Sequence, residues 1–158
     1  MNPRAVLWAF AISGMVWWPG AARADFAEGL RAFDAGDYAV ALQEWRPLAE
    51  AGEAEAQVAL AGLYMGGLGV PADAARAARW YERAARQGHA MAQLNLGDLY
   101  ARGLGVGRDL TQAYLWLGLA AKQGRSWAAG RRQEIAREMS PAQIGAAEQR
   151  LRDWRPGQ

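Results

Sequence analysis

Non-polar residues recur at helical spacing through the middle of the chain. Between residues 54 and 65, positions three and four apart form a stripe along one predicted helix: Gln57, Leu60, Leu63 and Tyr64. A second predicted helix alternates large aromatic residues with alanines: Ala77, Trp80, Tyr81 and Ala84. Because this spacing places the side chains on one face of each helix, the pattern predicts two amphipathic helices that pack against each other.

Glycine-rich segments predict where these helices end. Residues 66–71 read Gly-Gly-Leu-Gly-Val-Pro, and glycine tolerates the left-handed backbone conformation that terminates helices. Asp73 and Asp109 stand where the N-cap of a following helix is expected. Asp109 with Gln112 has the spacing of a capping box. Ala61 and Gly97 lie beside the apolar stripe, where a small side chain lets a neighbouring helix approach closely.

The whole pattern returns after 36 residues. Fifteen positions between residues 57 and 88 recur in register between residues 93 and 124, including Gln57 as Gln93 and Trp80 as Trp116. A period of this length indicates stacked units, since one helix pair cannot bury its apolar face without a neighbour. The sequence therefore predicts an all-α protein, a right-handed α-solenoid of helix-turn-helix repeats, with function on its surface.

The N-terminal segment has the pattern of a secretory signal peptide. Arg4 precedes an apolar run over residues 5–18, and Ala22-Arg23-Ala24 provides a cleavage sequence. The run is shorter than the ~20 residues of a membrane span. We expect cleavage after Ala24, a periplasmic or secreted location, and no stable membrane insertion of the mature chain. The chain has no cysteine, so we expect no disulfide there.

Weaker copies of the unit flank the two strong repeats. Upstream, a helix over residues 26–35 precedes one containing Trp45, in which Pro47 predicts a kink. Downstream, two helices predict a closing pair, the second of which begins with a capping box, Ser140-Pro141-Ala142-Gln143. We expect a signal peptide over 1–24, a degenerate first repeat over 25–52, repeats over 53–88 and 89–124, and C-terminal capping helices over 125–155.

The charges are divided unequally along the predicted mature chain. Residues 25–75 contain nine acidic and two basic residues, whereas residues 76–158 contain seven acidic and fourteen basic ones. The two ends of a solenoid would then carry opposite fields, although ordinary solvated helix faces explain the same distribution. The mature balance is neutral, which does not favour a nucleic-acid partner. One basic stretch suits acidic ligands: Arg125, Arg131, Arg132 and Arg137.

The sequence contains few residues suited to catalysis. His89 is the only histidine, at a junction position typical of a variable, exposed residue, and it has no cysteine with which to form a metal cluster. The pairs Asp98 with Asp109 and Glu53 with Glu55 could supply two carboxylates, but their solvated contexts do not raise one pKa as glycoside cleavage requires. We expect no catalytic residue, no cofactor and no metal.

The repeated residues closely resemble the Sel-one-like repeat, a relative of the tetratricopeptide repeat. The resemblance rests on Ala54-Glu55-Ala56-Gln57, Leu63-Tyr64, residues 67–71, Trp80-Tyr81 and Gln87-Gly88, and residues 89–124 match equally well. Gly107 departs from the pattern at a proline position and Leu117 at a position where tyrosine is common. The resemblance implies an α-solenoid that binds proteins or peptides.

In related helical repeats, the first helix of each pair lines the concave side and meets the ligand. Transferred to this chain, the resemblance implies these protein- or peptide-binding candidates: Glu55, Val58, Gly62, Met65, Met91, Asn95, Asp98 and Arg102. The amide of Asn95 could hold a peptide backbone or a terminal carboxylate. Asn95 and Asp98 could equally be solvated polar residues, and the methionines could pack between units.

Two functions of different classes remain. The first is a non-catalytic exported scaffold or regulatory module, monomeric, that binds a protein or peptide in a bacterial-type envelope. The alternative is an envelope enzyme or accessory protein that acts on or binds peptidoglycan or another polysaccharide. Turnover of such a substrate, abolished by neutralising one carboxylate pair, would distinguish the second from the first.

Overall fold

The computed structural model describes residues 24–157, so nearly all of the predicted signal peptide lies outside the described residues. Within this range the chain forms eight α-helices and no strand. They are α1 (Phe26–Asp34), α2 (Tyr38–Glu50), α3 (Ala54–Gly66), α4 (Ala74–Arg86), α5 (Ala90–Arg102), α6 (Leu110–Lys122), α7 (Ser126–Ala136) and α8 (Pro141–Asp153). The expected all-α class is confirmed.

From α1 to α7, each helix packs against the next helix in the sequence, so burial passes continuously along the stack. The first helices are α1, α3, α5 and α7, and α2, α4 and α6 follow the first three as second helices. The last helix, α8, returns to pack on α6 rather than extending the series. No helix within residues 24–157 has the length and apolar character needed to cross a membrane.

The predicted helix boundaries follow from the caps. Gly67 and Gly103 end α3 and α5 in the left-handed conformation, with φ of 64° and 67°. Asp73 and Asp109 cap α4 and α6 as expected. The capping box predicted at Asp109 forms only in part, because the backbone N–H of Asp109 donates to the carbonyl of Tyr100 at 3.0 Å instead. The box at Ser140 is complete.

The glycine-rich turns also hold successive units together. Gly69 and Gly105 occupy equivalent positions, with φ of 67° and 69°. A Cβ on Gly69 would lie 2.8 Å from the carbonyl of Tyr38, and one on Gly105 would overlap the backbone of Ala74. Each turn thus lies directly on the start of the preceding unit's second helix, at a distance that only glycine allows.

Small residues also set how closely the two helices of a unit approach. A Cβ on Gly97 would lie 2.7 Å from Cγ of Leu117, which confirms the predicted close approach. Leu117 is fully buried there, so its departure from the family pattern is accommodated. Gly29 takes the corresponding place against Trp45 in the first helix pair. Pro47 lies within α2, which continues to Glu50.

The spacing alone suggested that the recurring glutamines belong to an apolar stripe. The structure shows instead that they make buried polar contacts. Gln57 and Gln93 are buried, and their side-chain amides donate to the carbonyls of Ala49 at 3.1 Å and of Ala85 at 3.2 Å. Their side-chain oxygens accept from the amides of Gln87 and Gln123. Buried amides need such partners, and here they tie each unit to the one before it.

Candidate functional site

The eight binding candidates all lie on the first helices α3 and α5. We call the surface formed by α1, α3, α5 and α7 the first-helix face. Along the chain, a second helix lies between each two successive helices of this face. In space, grooves lie between successive helices of the face. Two such grooves hold the features of a binding surface: one between α5 and α7, and one between α1 and α3.

The groove between α5 and α7 is lined mostly by charged residues and has a volume of about 460 Å³. Asp98 lies in it between two arginines, with Arg102 Nη1 3.2 Å from Oδ2 and Arg131 Nε 3.4 Å from Oδ1. Arg131 also donates to Glu134 at 2.8 Å. Trp127 lines the same groove and is 54% exposed. The predicted pair Asp98 and Arg102 is thus brought together, in a network that α7 completes.

Charge in this groove is balanced internally. The hydrogen bond to Glu134 is the largest influence on the pKa of Arg131 and raises it, partial burial opposes the rise, and Asp98 adds to it. A guanidinium group between two carboxylates stays protonated. The charged side chains of this network remain partly exposed to solvent. They can therefore exchange their ion pairs with one another for ion pairs with a ligand.

The groove between α1 and α3 is apolar, with a volume of about 340 Å³. Its walls include the predicted Val58 and Gly62 on α3 and Phe26, Leu30 and Phe33 on α1. Leu30 is 46% exposed. Gly62 has open space around its Cα, which leaves this hollow accessible.

The other candidates differ in their surroundings. Met65 and Val58 are half-buried against the hydrophobic cluster that contains Leu60 and Leu96. This contact favours a packing role for Met65. Asn95 and Met91 are half-buried, and Glu55 is exposed. Within residues 24–157 the Asn95 amide has no side-chain partner.

The sequence analysis did not identify Leu30 and Trp127 as binding candidates, nor the pairing of Arg131 with Asp98. The signal for Trp127 was present in the repeat register. Trp127 stands 36 residues after Met91 and 72 after Glu55, at a position the two strong repeats leave half-buried or exposed. Because tryptophan is enriched at protein interfaces, an exposed one at this position is a candidate for contact with a partner.

Two expectations about charged residues are revised. His89 is half-buried rather than exposed, and its Nδ1 caps α5 by accepting from the Ala92 N–H at 3.4 Å. Two of the four arginines of the basic stretch are engaged, since Arg131 pairs with Asp98 and Arg132 lies over the ring of Tyr114. Asp98 and Asp109 have separate duties, as a salt-bridge partner and as a helix cap. Within residues 24–157 no group of acidic or histidine residues could hold a metal ion.

The comparisons with known proteins agree with this architecture. The family model described as the Sel1 repeat matches residues 54–89 and 90–124. No match is found among curated proteins. Sel1 repeats generally serve as non-catalytic scaffolds for protein interactions.

Two solved structures share the fold. A protective antigen of uropathogenic Escherichia coli that displays an SLR fold has 30% identity and a TM-score of 0.75 over 80% of this chain. A Sel1 repeat protein from Oxalobacter formigenes has 32% identity and a TM-score of 0.68 over 72% of it. This chain spans 28% and 47% of those two proteins. The chain therefore carries two Sel1 repeats within a helical array of the kind found in both.

Proposed function

We propose that this chain is an exported, non-catalytic scaffold that binds a protein or peptide partner along its first-helix face. The observation that carries the proposal is the placement of exposed apolar side chains. Leu30 and Trp127 are the two large hydrophobic residues of the described range that are clearly exposed, and both line grooves of this face. Exposed apolar side chains beside polar ones are typical of protein-binding surfaces.

The two grooves differ in a way that favours an extended ligand with two kinds of contact. The apolar hollow at Leu30 can take a hydrophobic side chain. The charged groove at Asp98 and Trp127 offers an aromatic anchor beside exchangeable ion pairs, which is the composition of many interaction hot spots. Asn95 lies on α5 with its amide unengaged, so that it can hydrogen-bond a backbone crossing the face.

Site-specific photo-crosslinking in cells that make the protein tests this proposal. A photoreactive amino acid at position 95 or 127 should give one discrete adduct with a partner protein, whereas the same group at the exposed position 133 on α7 should not. The adduct at position 95 should disappear when Leu30 and Trp127 are both replaced by serine, with folding checked by circular dichroism. Equal adducts at positions 95 and 133, or an adduct that survives the double substitution, would contradict the proposal.

A contact at the predicted mature N-terminus supports export. The backbone nitrogen of Asp25 lies 2.9 Å from Glu44 Oε2, and the Asp25 side chain caps α1. Cleavage after Ala24 would convert that nitrogen into an ammonium group, which forms a stronger, charge-assisted bond with the carboxylate. Helix α1 would thus begin immediately after the new terminus, with its cap intact.

Mass spectrometry of the protein recovered from its native host tests export directly. The expected species begins at Asp25 and is found outside the cytoplasm. Replacing Ala22 and Ala24 by arginine should block processing, because signal peptidases require small residues there. A cytoplasmic protein that retains Met1 would remove the export part of the proposal and leave the binding part intact.

A further inference from the structure

We propose that a groove between α2 and α4 binds a carboxylate-rich segment of a partner protein. Four exposed arginines line it, and its floor is made of half-buried or buried apolar and aromatic residues. We call it the arginine groove: Arg46, Arg76, Arg79 and Arg83, over a floor of Leu60, Tyr64 and Trp80, with Glu50 at its edge. Its volume is about 320 Å³, and it shares no residue with the two grooves of the first-helix face.

Two of the arginines are held in place by the aromatic floor. Arg83 lies over the Trp80 ring at 4.5 Å from its centroid, and Arg76 lies over Tyr64 at 5.6 Å. Arg76 is also 3.1 Å from Asp73. A guanidinium group stacked on a ring keeps its N–H donors available at its edges, and its flat fork matches a carboxylate.

The other two arginines have no carboxylate partner in the described part of the chain. Arg46 and Arg79 make no ion pair there. Counting Glu50 and the neighbouring Asp73, four positive charges face two negative ones. Arg46 is moreover one of only two basic residues between positions 25 and 75, so its place beside the α4 arginines concentrates positive charge within an acidic half.

Comparison with the next repeat shows that the fold does not require these arginines. The floor recurs 36 residues later as Leu96, Tyr100 and Trp116. The arginines do not recur, since Arg76, Arg79 and Arg83 correspond to Gln112, Leu115 and Leu119. The aromatic framework is therefore a property of the repeat, whereas the arginines belong to this one unit.

The corresponding surface in the next repeat is covered. Leu115 and Leu119 are buried in one cluster with Leu151 of α8, which packs on α6. The α4 surface has no such cover within residues 24–157, and all three of its arginines are exposed. The chain thus has two equivalent positions on its second helices, one filled by its own last helix and the other open.

Solubility alone does not explain three arginines on one stripe. Arg76, Arg79 and Arg83 are three and four residues apart, so they lie on one side of α4 and repel one another. An open surface needs only polar residues of mixed sign, as Glu82 and Arg86 show by pairing at 2.7 Å on the same helix. The excess of one sign indicates an acidic ligand.

The floor indicates which acidic ligand fits. A free inorganic anion would use the guanidinium groups and leave Trp80, the partly exposed residue of the floor, without a contact. A peptide that alternates acidic and aromatic residues would pair its carboxylates with Arg46 and Arg79 and pack a ring on Trp80. Such a segment of a partner protein matches both the charge and the apolar floor of the arginine groove.

Fluorescence anisotropy with a labelled peptide of sequence Glu-Glu-Phe-Glu-Glu tests the proposal on the chain from Asp25 to Gln158. The double variant Arg46→Gln, Arg79→Gln should weaken binding at least about tenfold. The matched variant Arg125→Gln, Arg137→Gln removes the same charge from exposed positions elsewhere and should change affinity less than about twofold. The variant Trp80→Leu should also weaken binding, and a Gln-Gln-Phe-Gln-Gln peptide should not bind.

Four results would overturn the assignment. Equal losses in the two arginine pairs would show that only overall charge matters. An unchanged affinity in Trp80→Leu, or full displacement by equimolar inorganic phosphate, would show an anion site that does not use the floor. A single-stranded oligonucleotide that binds more tightly than the peptide would show a polyanion surface. Substituting Leu30 and Trp127 should leave peptide binding unchanged, which separates this groove from the first-helix face.

Discussion

The side-chain amide of Gln87 donates to Oε1 of Gln57 at 2.9 Å and to the carbonyl of Gly52 at 3.0 Å. Gln123 makes the same two bonds one repeat later, to Gln93 at 2.8 Å and to Gly88 at 2.9 Å. Each glutamine pair thus fastens the end of one second helix to the start of the first helix beside it. Gln57 and Gln93 thus form polar contacts inside a core that is otherwise apolar, with partners that are exposed at its edge.

The first prediction concerns that fastening. Gln93→Ala removes a fully buried side chain that accepts from the exposed Gln123 and donates to the carbonyl of the buried Ala85. We expect the free energy of unfolding to fall by about 2 to 3 kcal/mol, measured by urea denaturation. Gln133→Ala changes an exposed glutamine on α7 and is the matched control. A Gln93→Ala midpoint equal to that of the control would contradict a stabilising role for the pair.

The second prediction concerns the turn glycines. Gly105→Ala should lower the free energy of unfolding by about 2 to 4 kcal/mol, because the new Cβ would strain a left-handed residue and overlap the Ala74 backbone. Gly107→Ala lies two residues away, with no atom within 4 Å of the added Cβ and no left-handed φ. Its effect should stay within about 0.5 kcal/mol. Thermal and urea unfolding of both variants measure the difference, and equal destabilisation would refute the docking role of Gly105.

The third prediction is a pH dependence at His89. Partial burial lowers the pKa of His89, Arg125 adds to this, and Glu55 opposes it. Because the pKa in the folded chain lies below the unfolded value of about 6.5, the neutral cap contributes fully above that pH. Its contribution is lost as the pH falls through the folded pKa.

The variant His89→Asn isolates this effect, since asparagine caps helices without titrating near neutrality. The stability of the wild type relative to His89→Asn should therefore decrease from pH 8 to pH 5, as measured by urea midpoints. Parallel pH profiles of the two proteins would show that the protonation of His89 is not linked to folding.

The fourth prediction concerns the mature N-terminus. In the chain that begins at Asp25, Glu44→Gln should cost about 0.5 to 1 kcal/mol, because it removes the negative charge beside the terminal ammonium group. The loss should shrink at high salt, which screens exposed charges, and in a chain whose N-terminus is acetylated. Glu53→Gln changes another exposed carboxylate, which makes no capping bond to α3, and serves as the control. A loss that is the same with and without acetylation would rule out the ion pair.

Much of the fold was predictable because the same sequence pattern occurs in two consecutive repeats. The positions of Leu60 and Leu96, the capping aspartates and the left-handed glycines follow from local chemistry, and each occurs in register with its copy. The polar partners were not predictable in the same way. Spacing places Gln57 on the buried stripe, but only the packed structure shows that Gln87 arrives at its side-chain oxygen.

The candidate site was predictable in position and not in composition. The family resemblance predicted binding residues on α3 and α5. Of these residues, Asp98 and Arg102 do form an ion pair. The contributions of α1 and α7 were missed, because Leu30 and Trp127 lie in segments where the repeat pattern is weak. His89 illustrates the same limit, since whether a junction residue is exposed depends on the neighbouring units at Glu55 and Arg125.

The contacts of Gly69 with Tyr38 and of Gly105 with Ala74 have an evolutionary consequence. Each turn packs on the backbone of the unit immediately before it. This contact therefore does not depend on where the unit stands in the array. Duplication of a 36-residue segment would recreate both halves of the joint at once, whereas an insertion of any other length would separate them. The protein can therefore lengthen by whole modules while its terminal helices, and whatever they bind, stay unchanged.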